Sequence, residues 1–158
     1  MNGTASSGGV VSYSLINDIT GSNIIGDVFN IGNPGNTTVR VTVTANGIYG
    51  NDFKDFPVTI TNLNPVITWN SPSSINLGVP LDGTYLNATA DVPGTFEYYK
   101  SYNSFRNTFS QRIISGVTTL TESGANTIYV RFIPTDANSN IAIKSNVITV
   151  NTGVPVLE

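Results

Sequence analysis

The chain contains no cysteine and no histidine. The absence of cysteine excludes disulfide bonds and thiolate chemistry, and the absence of histidine removes the side chain most used for proton transfer near neutral pH. Carboxylates are also few, because Glu97 and Glu122 are the only glutamates apart from the final residue. Acid–base catalysis needs paired carboxylates or a histidine, so we expect no enzymatic activity and no cofactor.

Charge is scarce as well. Charged residues make up 11% of the chain, the seven basic residues form no cluster, and the formal net charge is −3. A protein that tracks a phosphate backbone needs a basic patch, so nucleic acid is not an expected partner. No apolar run approaches the roughly 18 residues that span a bilayer, so we expect no membrane insertion.

Small polar residues supply the polarity that charges do not. The chain has 20 asparagines, 20 threonines and 15 serines. Threonine suits a pleated strand, while asparagine and glycine suit turns. This composition favours a β protein with a neutral, hydrogen-bonding surface.

The apolar residues follow a period of two, which is typical of strands with one buried face. The clearest case is residues 37–45, where Val39, Val41 and Val43 alternate with threonine and arginine. Residues 56–60 repeat the pattern, and Pro57 suggests an edge strand or a strand start. The second half shows the same alternation in four runs, at residues 67–69, 86–90, 128–132 and 148–150. No segment has a helical apolar stripe; residues 98–114 come nearest.

Turn residues between these runs divide the chain into two parts. The segment from Asn62 to Pro65 separates a strand that ends at Thr61 from a new alternation that starts at Val66. Short strands at this spacing indicate antiparallel β-sandwiches. We therefore predict an all-β protein of two tandem sandwich modules, residues 1–63 and 64–152, followed by a tail, residues 153–158, whose final Leu157-Glu158 resembles a cloning scar.

Three segments stand out in the second half: NPVITW from Asn64, LNATADVPGTFEY from Leu86 and NTIYVRFIPTD from Asn126. In this order they resemble the bacterial immunoglobulin-like repeat domains of the Big type. The first half is similar over SYSL from Ser12, TTVRVTVTANGIY from Thr37 and residues 56–60. It lacks an equivalent opening strand, so either the chain begins inside this module or residues 4–11 form that strand.

The resemblance implies both a fold and a setting. It implies two tandem immunoglobulin-like antiparallel sandwiches, and such repeats occur in arrays on large secreted or cell-wall proteins. We therefore expect an extracellular or cell-surface location, neighbouring repeats of the same kind, and a non-catalytic adhesive or spacer role. Two alternatives stay open: a module that binds a carbohydrate or protein, and an accessory domain of a secreted enzyme.

The candidate binding residues lie in one aromatic-rich stretch. Residues 96–112 hold six of the 15 aromatic residues and three of the seven basic ones. The family pattern has a short turn after the F-x-Y strand, whereas here the connection runs from about Lys100 to Gly116. Exposed aromatic and arginine side chains are typical of binding surfaces. The candidate residues are Tyr99, Tyr102, Phe105, Arg106 and Phe109. The alternative is a long hairpin whose aromatic rings pack on the sandwich.

Three aspartates are weaker candidates for a calcium site. Asp52 and Asp55 flank Lys54 in a predicted loop, and Asp136 lies near two asparagines. Oxygen-rich loops hold calcium, but neither segment has the spacing of a dedicated calcium loop, and Lys54 opposes a cation. Turn and cap hydrogen bonding by these residues is the favoured interpretation.

Overall fold

The computed structural model describes residues 1–152, which form twelve β-strands and no helix. This confirms the all-β prediction. The chain divides into two compact units between Asn62 and Leu63, beside the predicted boundary. The predicted tail, residues 153–158, lies outside the described residues.

Unit 1, residues 1–62, contains a three-stranded antiparallel sheet and a separate hairpin. Its strands are β1 (Val11–Ile16), β2 (Asn23–Ile25), β3 (Val28–Asn30), β4 (Gly35–Val43) and β5 (Asp52–Ile60). The sheet has the order β1-β4-β5, and β2 pairs with β3. Pro57 lies in β5 at the sheet edge, as the sequence predicts, because a proline cannot donate to a second neighbouring strand.

The apolar face of the unit 1 sheet is only partly covered. The register pairs Val39 with Leu15 on one side and with Phe56 on the other, so one face carries the apolar side chains of all three strands. Val39 is the one buried apolar residue among residues 1–62, and Phe56 is 45% exposed. An open groove of about 630 Å³ lies over this face, lined largely by valine, phenylalanine and Tyr13.

Unit 1 does not use residues 4–11 as an opening strand. The segment from Thr4 to Val10 contains a turn, and β1 begins at Val11. In that turn the Gly8 N–H donates to the Ala5 carbonyl (3.1 Å), which bends the chain away from an extended path. The alternative in which this segment supplies the strand is therefore wrong.

Unit 2, residues 63–152 of the described chain, is a five-stranded sheet packed against a two-stranded one. Its strands are β6 (Ile67–Thr68), β7 (Ser74–Asn76), β8 (Thr89–Ala90), β9 (Gly94–Asn103), β10 (Thr108–Arg112), β11 (Gly124–Pro134) and β12 (Ala142–Asn151). The large sheet has the order β10-β9-β11-β12-β7, with β7 parallel to β12, and the small sheet pairs β6 with β8.

The core of unit 2 lies between these sheets. It contains twelve buried apolar residues, including Ile128, Val130 and Phe132, which alternation predicts and which are fully buried. Trp69 packs edge-on against Tyr98, with ring centroids 5.4 Å apart, and its indole N–H donates to the Tyr85 carbonyl (2.8 Å). This packing gives unit 2 the sandwich-like arrangement of an immunoglobulin-like module.

One predicted strand of unit 2 is much shorter than its alternation suggests. Of the run 86–90, β8 contains Thr89 and Ala90 alone. The Asp82 carbonyl accepts hydrogen bonds from the N–H groups of Tyr85 (3.0 Å) and Leu86 (2.9 Å), so the chain is still turning at Leu86.

Candidate binding site

The predicted long connection after Tyr98 is a β-hairpin. Strand β9 continues to Asn103, and the chain returns in β10 from Thr108, so this stretch forms the long hairpin of the alternative interpretation. At the tip, Asn103 Oδ1 accepts from the Arg106 N–H (3.0 Å), and Asn107 has a φ of 49°. Asparagine tolerates this left-handed conformation better than most residues do, which lets the hairpin close tightly.

The hairpin is irregular where its aromatic side chains meet. In a regular ladder Tyr99 and Tyr102 point to opposite faces, as do their partners Arg112 and Phe109. Between these pairs Gln111 has a φ of 57°, which is unusual for a side chain with a Cβ, and it has no partner in the ladder. Phe109 packs on both Tyr99 and Tyr102, so the hairpin departs from strict alternation.

The rings form a continuous cluster that extends onto the neighbouring strand. Phe109 lies 4.9 Å from Tyr99 and 4.6 Å from Tyr102 between ring centroids, and Tyr102 lies 5.8 Å from Tyr129 of β11. Tyr129 lies between the core residues Ile128 and Val130 in sequence, so it points away from the core. The cluster therefore belongs to the outer face of the five-stranded sheet.

A carboxylate and two guanidinium groups border the aromatic cluster. Glu97 lies 3.3 Å from Arg131 and 3.4 Å from Arg112, and Oε2 of Glu97 accepts a hydrogen bond from the Tyr99 hydroxyl (3.0 Å). Burial, together with this hydrogen bond and the negative charge of Glu97, raises the pKa of Tyr99, which keeps its hydroxyl protonated as a donor. One negative and two positive charges leave this cluster with a net charge of about +1.

A pocket of about 360 Å³ opens beside this cluster. We call it the outer-face pocket; it is lined by residues of β9 to β12 and by those directly before β10 and β12, namely Tyr99, Asn107, Thr108, Phe109, Arg131, Ile141 and Ile143. The Arg131 guanidinium lies 5.8 Å from the centroid of the Phe109 ring. The pocket thus combines aromatic and aliphatic walls with a few polar groups, which is typical of small-ligand sites of about 300–1,000 Å³.

The structure separates the five predicted binding residues into two groups. Tyr99, Tyr102 and Phe109 belong to the aromatic cluster, whereas Phe105 and Arg106 lie exposed at the hairpin tip. Phe105 is 95% exposed and is not part of the pocket.

Sequence reasoning did not identify the contributions of β11 and β12. Arg131 and Ile143 are directly paired across these two strands, and Glu97 pairs with Arg131 from the other side. The alternation of residues 128–132 does place Arg131 on the outer face, but the order of the strands, on which the site depends, is not encoded locally.

The weak calcium candidates do not come together. Asp52 and Asp55 lie in β5 and not in a loop; three residues apart, they point to opposite faces. Asp55 binds Arg40 through two hydrogen bonds (2.7 and 2.8 Å), and Asp136 Oδ1 caps a turn by accepting from the Asn138 N–H (2.9 Å). Residues 1–152 contain no group of three or more acidic side chains placed to hold a metal ion.

The same part of the chain has no helix of the length and apolar character needed to cross a bilayer. Compared with known proteins, the sequence matches no family model and no curated protein.

Proposed function

We propose that this chain is a non-catalytic adhesive module of a secreted or cell-surface protein, which binds a carbohydrate through the outer-face pocket. In this proposal the two units are immunoglobulin-like modules that belong to an array of similar repeats. The main support for carbohydrate binding is that an aromatic wall, hydrogen-bonding side chains and a net charge occur together on one exposed sheet face.

The walls of the pocket suit a sugar ring. One face of a pyranose presents C–H groups, which pack on aromatic rings, while its hydroxyls need hydrogen-bonding partners. Tyr99 and Phe109 provide the aromatic surface, and Asn107 and Thr108 provide polar groups at its border. The concave shape favours a ring over a flat protein surface.

The position of the pocket also supports binding. Its aromatic and charged residues lie on β9, β10 and β11, which are hydrogen-bonded to one another in the five-stranded sheet. The opposite face of β11 carries fully buried core residues, so the sheet that holds the pocket is fixed by packing. Sites built on rigid strands hold their side chains more precisely than sites on loops do.

A second candidate is a pure spacer, in which the aromatic rings serve only to hold the hairpin. The stacking of Tyr102 on Phe109 and its contact with Tyr129 favour this alternative, because such pairs contribute about 0.5–1.5 kcal/mol each to stability. The two candidates differ in whether the pocket has an occupant.

A glycan array tests the proposal directly. The wild-type chain is expected to bind a subset of saccharides, and Phe109→Ala is expected to lose that binding. Phe105→Ala is the matched control, because it removes the same ring from the same hairpin, outside the pocket. Fluorescence of Trp69, the single tryptophan, shows whether each variant remains folded. Absence of binding across the array, or equal loss in both variants, contradicts the proposal and favours the spacer.

A further inference from the structure

We infer that the saccharide held in the outer-face pocket is anionic, carrying a carboxylate or a sulfate; this rests on the proposed function. The net charge beside the pocket differs in sign from that of the chain: Arg131 lines the pocket, and Glu97 and Arg112 belong to the same ion-paired cluster next to it. The chain has a net charge of −3, whereas the cluster of Glu97, Arg112 and Arg131 has a net charge of about +1. A neutral sugar has no negative group that could pair with this excess positive charge.

The guanidinium of Arg131 has further N–H donors that can bind a carboxylate or a sulfate. A guanidinium has five N–H donors, and within residues 1–152 Arg131 makes one hydrogen bond, from Nη1 to Glu97 Oε2 (3.3 Å). Its side chain is 32% exposed and lines the pocket, so the remaining N–H groups are open to a ligand. Guanidinium binds carboxylate and sulfate oxygens in a planar, often two-pronged arrangement.

The placement of Arg131 relative to the aromatic wall fits a charged sugar. Its Cζ atom lies over the Phe109 ring, 5.8 Å from the centroid, so the cation and the aromatic wall of Tyr99 and Phe109 border the same part of the pocket. An acidic substituent on a pyranose that packs against this wall then comes within reach of the guanidinium. Glu97 keeps Arg131 in this place and also fixes the Tyr99 hydroxyl.

Glu97 sets the orientation of the ligand as well as that of Arg131. Its carboxylate already accepts hydrogen bonds from Tyr99 and Arg131 and forms an ion pair with Arg112, and it repels a second anion. An acidic group is therefore expected on the Ile143 side of Arg131, away from Glu97, since β12 carries Ile143 directly beside Arg131 on the side opposite to β9.

The test uses matched saccharides with the whole chain. Oligomers of glucuronate and of galacturonate are each compared with the counterpart in which the carboxyl is reduced to a neutral hydroxymethyl group, and sulfated neutral oligosaccharides form a second anionic set. Binding is measured by isothermal titration at low and at high salt. The acidic member of at least one pair is expected to bind about 10-fold more tightly, with the preference reduced by salt.

Arg131→Gln is expected to abolish this preference while weak binding of the neutral counterpart remains, and Arg106→Gln at the hairpin tip is the matched control and keeps the preference. Equal binding of acidic and neutral members overturns the inference and leaves the proposed function standing. Binding of no saccharide overturns both. Loss of neutral as well as acidic binding in a folded Arg131→Gln variant also overturns the inference, because Arg131 then shapes the pocket without recognising charge.

Discussion

Replacing Gly94 with alanine tests how tightly the core of unit 2 is packed. Gly94 is the first residue of β9, and a Cβ there would lie 2.4 Å from Cζ of Phe132 and 2.5 Å from the carbonyl oxygen of Ile133. Carbon atoms in contact are normally about 3.5–4.0 Å apart, so the ring or the strand must move by about 1 Å. Phe132 is fully buried and packs on Phe96 at 4.7 Å, which leaves the ring little room.

Overpacking of this kind costs about 1–3 kcal/mol, and the lower entropy of the unfolded alanine chain offsets about 0.4–1 kcal/mol of it. We therefore expect Gly94→Ala to lower the free energy of unfolding by about 1–2 kcal/mol. For a unit of this size the midpoint temperature should fall by roughly 4–16 °C.

Urea unfolding followed by Trp69 fluorescence measures this effect, because this single tryptophan is buried in unit 2. Gly83→Ala is the matched control: a Cβ at Gly83 meets no atom within 4 Å, so its effect should stay within about 0.5 kcal/mol. In a Phe132→Leu background the shorter side chain should reduce the cost of Gly94→Ala. The reasoning is refuted if Gly94→Ala is as stable as Gly83→Ala, or if its cost is unchanged by Phe132→Leu.

Three further predictions concern the two units. A fragment of residues 63–152 should unfold at the same midpoint as the whole chain when followed by Trp69 fluorescence, because 12 of the 13 buried apolar residues among residues 1–152 lie in unit 2; a lost transition would contradict this. Burial raises the pKa of Tyr98, so the stability that its neutral hydroxyl contributes is present below about pH 10 and is lost as pH rises through the pKa of the folded state. Between pH 8 and pH 11 the free energy of unfolding should therefore fall less in Tyr98→Phe than in the wild type, and an equal fall would argue against this assignment. The hydrogen bond from Arg40 lowers the pKa of Asp55, so the stability that this ion pair contributes is present above about pH 3.9 and is lost as pH falls through the pKa of the folded state. Acid should therefore change amide exchange in β5 less in Asp55→Asn than in the wild type, and an equal change would count against the pairing.

Much of the fold could be predicted from the sequence, because a half-buried strand shows its period directly. Residues 37–45 were expected as a strand, and β4 spans Gly35–Val43; the alternating core residues of β11 are fully buried. The prediction fails where local hydrogen bonds override the pattern. Residues 86–88 alternate correctly but lie outside β8, because the turn at Asp82 still holds the chain at Leu86.

The candidate site was predictable only in part, for a different physical reason. The aromatic residues of the hairpin are close in sequence, so their composition indicated Tyr99, Tyr102 and Phe109. Arg131 joins them because β11 pairs with β9, a contact between residues 34 positions apart. The left-handed φ of Gln111, between the ladder pairs of Tyr99 and Tyr102, has no local signal in the sequence such as glycine or asparagine.

The most direct test of the central claim is a map of backbone amide shifts in the whole chain. It is recorded by NMR during titration with the best-binding saccharide from the glycan array. We expect the largest shifts on pocket residues of three strands, at Tyr99, Phe109 and Arg131, with small shifts at Phe105. Shifts centred on the unit 1 groove around Val41, or no shifts at saturating concentration, would contradict it.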